Sequence, residues 1–191
     1  MLMDKMDNFD KKNDKEIVKL TLKNQDHFLH IVKRYEKKLL SFILRISNVS
    51  LEEAQDLLQE IFIKTYQNLN DYDPSLKFSS WIYRITRNHV ISNYRKNKNK
   101  QTLMASEVSD NLLNNLASNF DVTKQIDNDI LKEKIISALN KIDKKYREVI
   151  ILKYFEEKSY DEISDIIKKP TGTVATYLNR GKKKFKANFD K

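Results

Sequence analysis

The sequence predicts an all-α protein: two small helical domains joined by a flexible linker, the C-terminal one containing a helix-turn-helix. Three observations carry this. Turn formers are scarce, with only Gly172, Gly181, Pro74 and Pro170 among 191 residues, which argues against a many-stranded β fold. Apolar residues recur at three- and four-residue spacing through most of the chain. Between residues 98 and 128 that period weakens, Leu112, Leu113 and Leu116 excepted, and Asn, Ser, Gln and Asp dominate, as in a tether. The expected division is 1–13 disordered, 14–97 a first helical domain, 98–128 linker and 129–191 a second.

Composition bounds the function. The formal net charge is +9 and the pI about 9.4, which points to a polyanionic partner. The chain has no cysteine, so disulfide and thiolate chemistry are excluded and a reducing compartment fits. No apolar run reaches membrane-spanning length, and Met1 to Asn13 is too polar for a signal peptide; the expected location is the cytoplasm, with no membrane insertion. Neither a nucleophile–base pair nor a phosphate-cradling loop is apparent, so the expectation is no enzyme activity and no cofactor. His27 and His30 have an i, i+3 spacing that could serve a metal, but no third ligand is suggested nearby and no metal site is assigned.

Taken in order, Asp14 is placed to cap a helix carrying Ile17, Val18, Leu20 and Leu22. A helix from about Gln25 to Ile46 follows, with Phe28, Ile31, Val32, Tyr35, Leu39, Phe42 and Ile43 on its buried side. Ser50 and Glu53 have the spacing of a capping box at the start of a helix from Leu51 to about Leu69. Its core side holds Ala54, Leu58, Ile61, Phe62 and Thr65 or Tyr66. Its outward face holds Glu52, Asp56, Gln59, Glu60 and Ile63, and no Lys or Arg occurs from Ile46 through Ile63. An acidic face cannot lie on phosphates, because like charges repel. It is either an ordinary solvated surface with acids near a helix N-terminus or a docking face for a basic partner.

The loop NDYDPSLKFSS, Asn70 to Ser80, contains Pro74, which disfavours helix in Asp73. Ser79 or Ser80 is expected to cap a helix from Trp81 to about Lys96, with Ile82, Ile85, His89 or Val90, and Tyr94 along its buried stripe. No acid occurs from Ser79 through Ser106. Arg84, Arg87, Asn88, Arg95 and Lys96 supply donors, and Tyr72, Phe78, Trp81, Tyr83 and Tyr94 are interleaved with them. Cations that track a backbone and aromatics that stack on bases are the ingredients of a single-strand site; Trp81 and Tyr94 are equally suited to core.

In the C-terminal part, Ile130, Leu131, Ile135, Ala138 and Leu139 share a helix, and Asp143 is placed to cap the next, with Val149, Ile150 and Leu152 apolar. Ser159 and Glu162 again have capping-box spacing, opening a short helix with Ile163, Ile166 and Ile167. Pro170 ends it. Thr171 is a good N-cap for a last helix in which Val174, Leu178 and Phe185 face inward. Thr173, Thr176, Tyr177, Arg180 and Lys184 fall on another face. No acid occurs from Lys168 to Phe189. A capped short helix, a stop and a basic second helix describe a helix-turn-helix, whose second helix enters the major groove; a soluble helical hairpin is the plainer alternative.

The order of parts adds a resemblance. DLLQEIFIKTYQNL, Asp56 to Leu69, followed by FSSWIYRITRNHVISNYRK, Phe78 to Lys96, resembles region two of bacterial sigma factors. REVIILKYFEEKSYDEISDIIKKPTGTVATYLNRGKKKF, Arg147 to Phe185, resembles their region four. With no region three between them, the chain is similar to the extracytoplasmic-function type. The resemblance implies a subunit that binds core RNA polymerase and directs promoter recognition, DNA melting and transcription initiation. It implies docking on the β′ clamp helices through Asp56, Gln59, Glu60 and Ile63, and contact with the β flap. It implies minus-ten strand contact through Tyr72, Phe78, Trp81, Tyr83, Arg84, Arg87, Asn88, Arg95 and Lys96. It implies minus-thirty-five reading through Thr171, Thr173, Thr176, Tyr177, Arg180, Lys183 and Lys184. An anti-sigma factor is a further partner it admits. The chain departs from the family pattern after Val174, where Ala175, Thr176 and Tyr177 replace the usual Lys, Ser and Arg, and at Gly181, where Ala is usual.

Two other classes compete. A repressor or activator would bind duplex DNA alone as a dimer, but needs neither the acidic 52–60 face nor the aromatic–basic 72–96 block. An interaction protein without DNA binding leaves both acid-free stretches unexplained. The sigma reading needs charge segregation: an exposed acidic ridge, and two cationic surfaces on separate globules.

Overall fold

A computed structural model of the protein describes residues 9, 11–47, 49–101 and 127–190. Most of the stretch expected to be disordered, 1–13, and most of the expected linker, 98–128, lie outside these residues; Phe9 and residues 11–13 do not. Helix α1 (Asp14–Lys23) begins at Asn13, one residue before the expected cap. The Asn13 side chain accepts from the Glu16 amide at 3.0 Å and the Glu16 carboxylate accepts from the Asn13 amide at 2.9 Å, a reciprocal capping box. Asp14 instead turns inward, accepting from Arg34 at 2.8 Å and from the Tyr35 hydroxyl at 2.6 Å. Burial, then the Asp14 anion, push the Tyr35 hydroxyl far above the usual phenol range.

After a single 3₁₀ turn, α2 (Phe28–Ile46) buries Ile31, Tyr35, Leu39, Phe42 and Ile43. His27 and His30 stack with Phe9, the His30 ring 3.7 Å from it between centroids. Among the described residues no group of three or more His, Asp or Glu is placed to hold a metal ion. Helix α3 (Leu51–Gln67) is capped by Ser50, which accepts from the Glu53 amide at 3.1 Å. The expected return arm of that box is absent: the Glu53 carboxylate takes the Asn93 amide at 3.5 Å. Thr65 is buried and Tyr66 exposed, which resolves the alternative left open by the sequence.

Helix α4 (Phe78–Gln101) starts earlier and runs further than expected. The Trp81 amide bonds to the Lys77 carbonyl at 3.2 Å, so Ser79 and Ser80 lie inside the first turn and neither caps it. This brings Phe78 into a cluster with Tyr35, Tyr72 and Trp81, centroids 5.2 to 5.7 Å apart.

The second half comprises α5 (Asp127–Asn140), α6 (Lys144–Tyr154), α7 (Tyr160–Ile167) and α8 (Thr171–Phe189). Asp143 sits at the N-cap of α6 without a side-chain capping bond; its carboxylate meets Lys184 at 3.1 Å, an exposed pair of little worth. The Ser159–Glu162 box forms in both directions, at 2.9 and 3.2 Å. Burial pushes the Glu162 carboxyl up, but the Ser159 hydrogen bonds, with Lys158 and Lys77, hold it below the usual range. The elbow between α7 and α8 is made by Lys168, left-handed at φ 53°, and by the Ser164 hydroxyl donating to the Lys169 carbonyl at 2.6 Å. Pro170 takes the N-cap position of α8, and Thr171 is the first helical residue rather than the cap. Gly181 is buried where α8 crosses α6: a Cβ there would lie 2.9 Å from Ile150 Cδ1.

The two helical domains pack against each other. Helix α4 packs on α7, and α2 on α6. Phe42, Ile82 and Tyr83 from the first half and Ile151, Leu152 and Ile163 from the second belong to one buried cluster. A smaller cluster, Leu139, Ile142, Tyr146 and Ile150, lies under α8. Among the described residues no helix is long and apolar enough to cross a membrane.

Candidate docking and nucleic-acid interfaces

Helix α3 buries Ala54, Leu57, Leu58, Ile61 and Phe62, and so turns Glu52, Asp56, Gln59, Glu60 and Ile63 outward. Ile63 is 58 % exposed. It stands in the open beside Asp56, Gln59 and Glu60. Glu60 has a further partner: its carboxylate accepts from His89 Nε2 at 2.8 Å. His89 is 9 % exposed, and its Nδ1 is buried without a hydrogen-bond partner. Burial, then Lys64, push the imidazole below its ordinary range, against the pull of Glu60. With Nδ1 unpartnered, the Nε2–H donates to Glu60, and the contact ties the acidic face of α3 to α4.

Beside His89 lies an open, polar cleft of about 400 Å³ between the end of α3 and the middle of α4. It unites Trp81, Arg84 and Asn88, all expected from the sequence, with Lys64, Asn68 and Asp71, which were not. The missed three sit on the last turn of the acidic helix and the 3₁₀ turn after it. Their signal was the return of Lys and Asn after the cation-free run. A cleft with amide, carboxylate, ammonium and guanidinium groups can hold a planar, hydrogen-bonding ring; Trp81, 5 % exposed, borders it as a core residue and not as an open stacking platform.

The other expected strand residues separate into three groups. Tyr72, Phe78 and Tyr83 are 6 %, 2 % and 1 % exposed. Their expected role as stacking platforms is not realised in this conformation, because aromatics of this size stabilise the core most when removed from water. Tyr72 donates its hydroxyl to the Leu76 carbonyl at 2.7 Å and so fixes the loop. Arg95 and Lys96 are exposed and Arg84 is half-buried. Arg87 is covered by the second half: its guanidinium donates to both carboxylate oxygens of Glu148, through Nε and, at 3.2 Å, through Nη2. Nearby, Glu156 accepts from Tyr83 at 2.6 Å and Arg45 at 2.7 Å. The Lys144 ammonium stands 3.5 Å from the Tyr94 ring centroid, a cation–π contact.

On α8, Val174, Leu178 and Gly181 pack inward, leaving Thr171, Thr176, Arg180 and Lys183 exposed. Thr173 is half-buried. Tyr177 also departs from a free reading residue: its ring meets Tyr146 edge-on at 5.5 Å. Arg180 lies on the Tyr146 hydroxyl and holds it below the usual phenol range. Lys184 is drawn to Asp143. Behind α8 opens an apolar groove of about 450 Å³, walled by Leu139, Ile150, Tyr154, Phe155, Phe185 and Phe189.

Comparison with known proteins gives these surfaces a context. Residues 31–100 match the family model of sigma-70 region 2, and residues 132–185 that of sigma-70 region 4. The ECF RNA polymerase sigma factor SigW of Bacillus subtilis is 35 % identical over 88 % of this chain and 91 % of its own length. SigM of the same organism, also an ECF RNA polymerase sigma factor, is 30 % identical over 72 % of this chain and 80 % of its own. Among solved structures, the sigma factor RpoE of Bartonella quintana, bound to the anti-sigma factor NepR, aligns with a TM-score of 0.66 at 20 % identity, over 85 % of this chain and 96 % of that one. CnrH, in complex with the cytosolic domain of CnrY, aligns at 0.67 and 21 % identity, over 93 % and 97 %. These two likenesses concern the fold.

Proposed function

The chain belongs to the sigma-70 family, with regions 2 and 4 in the family's order, and from that premise we propose how its surfaces divide the work of a sigma factor. The protein binds core RNA polymerase and directs promoter recognition and transcription initiation. The observation that carries the division is the exposed face of Asp56, Gln59, Glu60 and Ile63 on a chain of net charge +9. Such a face is repelled by DNA and suits the β′ clamp helices. Residues 14–97 form the docking and minus-ten domain, 129–191 the minus-thirty-five domain, and 98–128 join them. Arg84, Arg87, Asn88, Arg95 and Lys96 hold the melted strand, with the cleft at Trp81 and Asn68 taking a base out of the stack. Thr171, Thr176, Arg180 and Lys183 face the duplex from α8, and the groove behind that helix takes the β flap. The chemistry belongs to the polymerase: this subunit contributes binding energy, it works in the cytoplasm, and a protein that sequesters sigma factors is a natural regulator.

The test is reconstitution. Purified protein added to core polymerase is expected to give promoter-specific transcripts from a genomic template library. Absence of any such transcript, together with a tight dimeric complex on duplex DNA without core, would overturn the reading in favour of a free-standing repressor or activator.

A further inference from the structure

Two surfaces of opposite sign meet within one turn of α3. Glu60 belongs to the outward acidic face, and Lys64, four residues on, lines the polar cleft. A Glu followed by a Lys at that helical spacing is the arrangement in which the two side chains pair. Here they do not. The Glu60 carboxylate accepts from His89 Nε2 at 2.8 Å, with 63 % of the glutamate side chain exposed. No ion pair to Lys64 forms among the described residues. A mutual pair would cancel both charges, so the face would lose an anion and the cleft a cation. His89 is suited to this one contact. Its side chain is 9 % exposed and its Nδ1 has no hydrogen-bond partner. Loss of the Glu60 bond would leave a buried polar ring with none, at the full desolvation cost of its N–H. Burial, then the Lys64 ammonium, work against charge on the ring, with Lys96 adding and Glu60 opposing. The ring can therefore hold the carboxylate without cancelling it. One carboxylate oxygen is engaged, and the other is left for a cation of a docking protein.

We propose that His89 is a positioning residue that holds Glu60 away from Lys64, and so keeps one anion on the docking face and one cation in the strand cleft. This rests on reading the α3 face as the docking surface and the cleft as a strand site. It adds Lys64 to the residues that meet the strand, and gives His89 a task on both surfaces while it touches neither partner. Fixing the carboxylate before a partner arrives also removes rotamer freedom that docking would otherwise have to freeze.

His89→Leu removes the donor and keeps an apolar side chain in its place. Calorimetric titration of the full chain against core polymerase should show its affinity about tenfold lower than wild type. Adding Lys64→Gln to that variant should restore most of the loss, because the competing ammonium is gone; a variant weakened by misfolding would not recover. His89→Gln, which keeps an N–H donor, should bind core nearly as wild type does. For a short, mixed-sequence fluorescent DNA strand, His89→Leu should reduce the slope of log affinity against log salt by about 0.7, the effect of one lost cation. Core affinity that is unchanged in His89→Leu, or lost without recovery on Lys64→Gln, overturns the proposal. So does His89→Gln binding as weakly as His89→Leu, or an unchanged strand slope. If wild type binds core and Asp56→Ala with Gln59→Ala binds it equally well, the proposal falls with its premise, the docking role of α3.

Discussion

The Tyr83 hydroxyl and the Glu156 carboxylate, 73 positions apart in the chain, meet at 2.6 Å in the seam between the two halves. Arg45 reaches the same carboxylate from α2. Removal of that one carboxylate orphans a buried guanidinium and a buried phenol together. Glu156→Ala should cost about 3 kcal/mol and Glu156→Gln about 1 kcal/mol, read from urea unfolding midpoints. Equal, small losses for both would mean the seam contributes nothing to stability.

His89 sets a pH dependence. Its folded-state affinity for a proton is lowered, first by burial and next by Lys64, with Lys96 adding and Glu60 opposing. Below the ordinary histidine value of about 6.5 the unfolded chain takes a proton that the folded one refuses. Stability should therefore fall as pH drops through that value, and level off below the depressed one. Comparing denaturation midpoints at neutral and mildly acid pH, His89→Gln should show a smaller acid loss than wild type. An identical loss would assign the effect to other groups.

The α3 face predicts a separation of binding from folding. Asp56→Ala with Gln59→Ala removes two exposed side chains. Affinity for core should fall by about 2 kcal/mol, roughly thirtyfold, with thermal stability within about 0.5 kcal/mol of wild type. Calorimetric titration against core measures the first, and unchanged affinity removes the docking assignment.

On α8, Arg180 and Lys183 are exposed cations on the outward face. In holoenzyme, Lys183→Ala should weaken promoter binding across sequences and reduce the slope of log affinity against log salt by about 0.9. A slope equal to wild type would place Lys183 away from phosphate.

Gly181 tests packing against propensity. Alanine would gain about 1 kcal/mol of helix propensity but presses on Ile150 Cδ1 at 2.9 Å and nears the Tyr146 carbonyl at 3.3 Å. Ile150 borders the apolar groove, so its end can move, and the net effect should lie within about 1 kcal/mol of zero. Gly181→Val adds two methyl groups beyond that Cβ at the same crossing and should destabilise by about 2 kcal/mol.

Local signals were legible in the sequence and distant ones were not. The Ser159–Glu162 box, the break at Pro170 and the inward set Val174 and Leu178 all follow from spacing within one or two turns. The outward face of α3 followed likewise, because its apolar stripe is unambiguous. Phe78, Trp81 and Tyr83 misled because they alternate with cations, and stacking platforms and core aromatics have the same spacing until the partner surface is known. Ser79 and Ser80 look like caps, yet burial of Phe78 starts the helix earlier. Arg87 with Glu148 and Arg45 with Glu156 have no local signature at all: they depend on how two separate parts of the chain come together.

The elbow at Lys168 has an evolutionary consequence. Its angle is fixed by one left-handed backbone residue and a hydroxyl-to-carbonyl bond, and neither uses the outer surface of α8. The exposed positions 176 and 183 can therefore be rewritten without disturbing how the helix is presented. On the proposed reading of α8, its outer surface can change residue by residue on a mount that stays put.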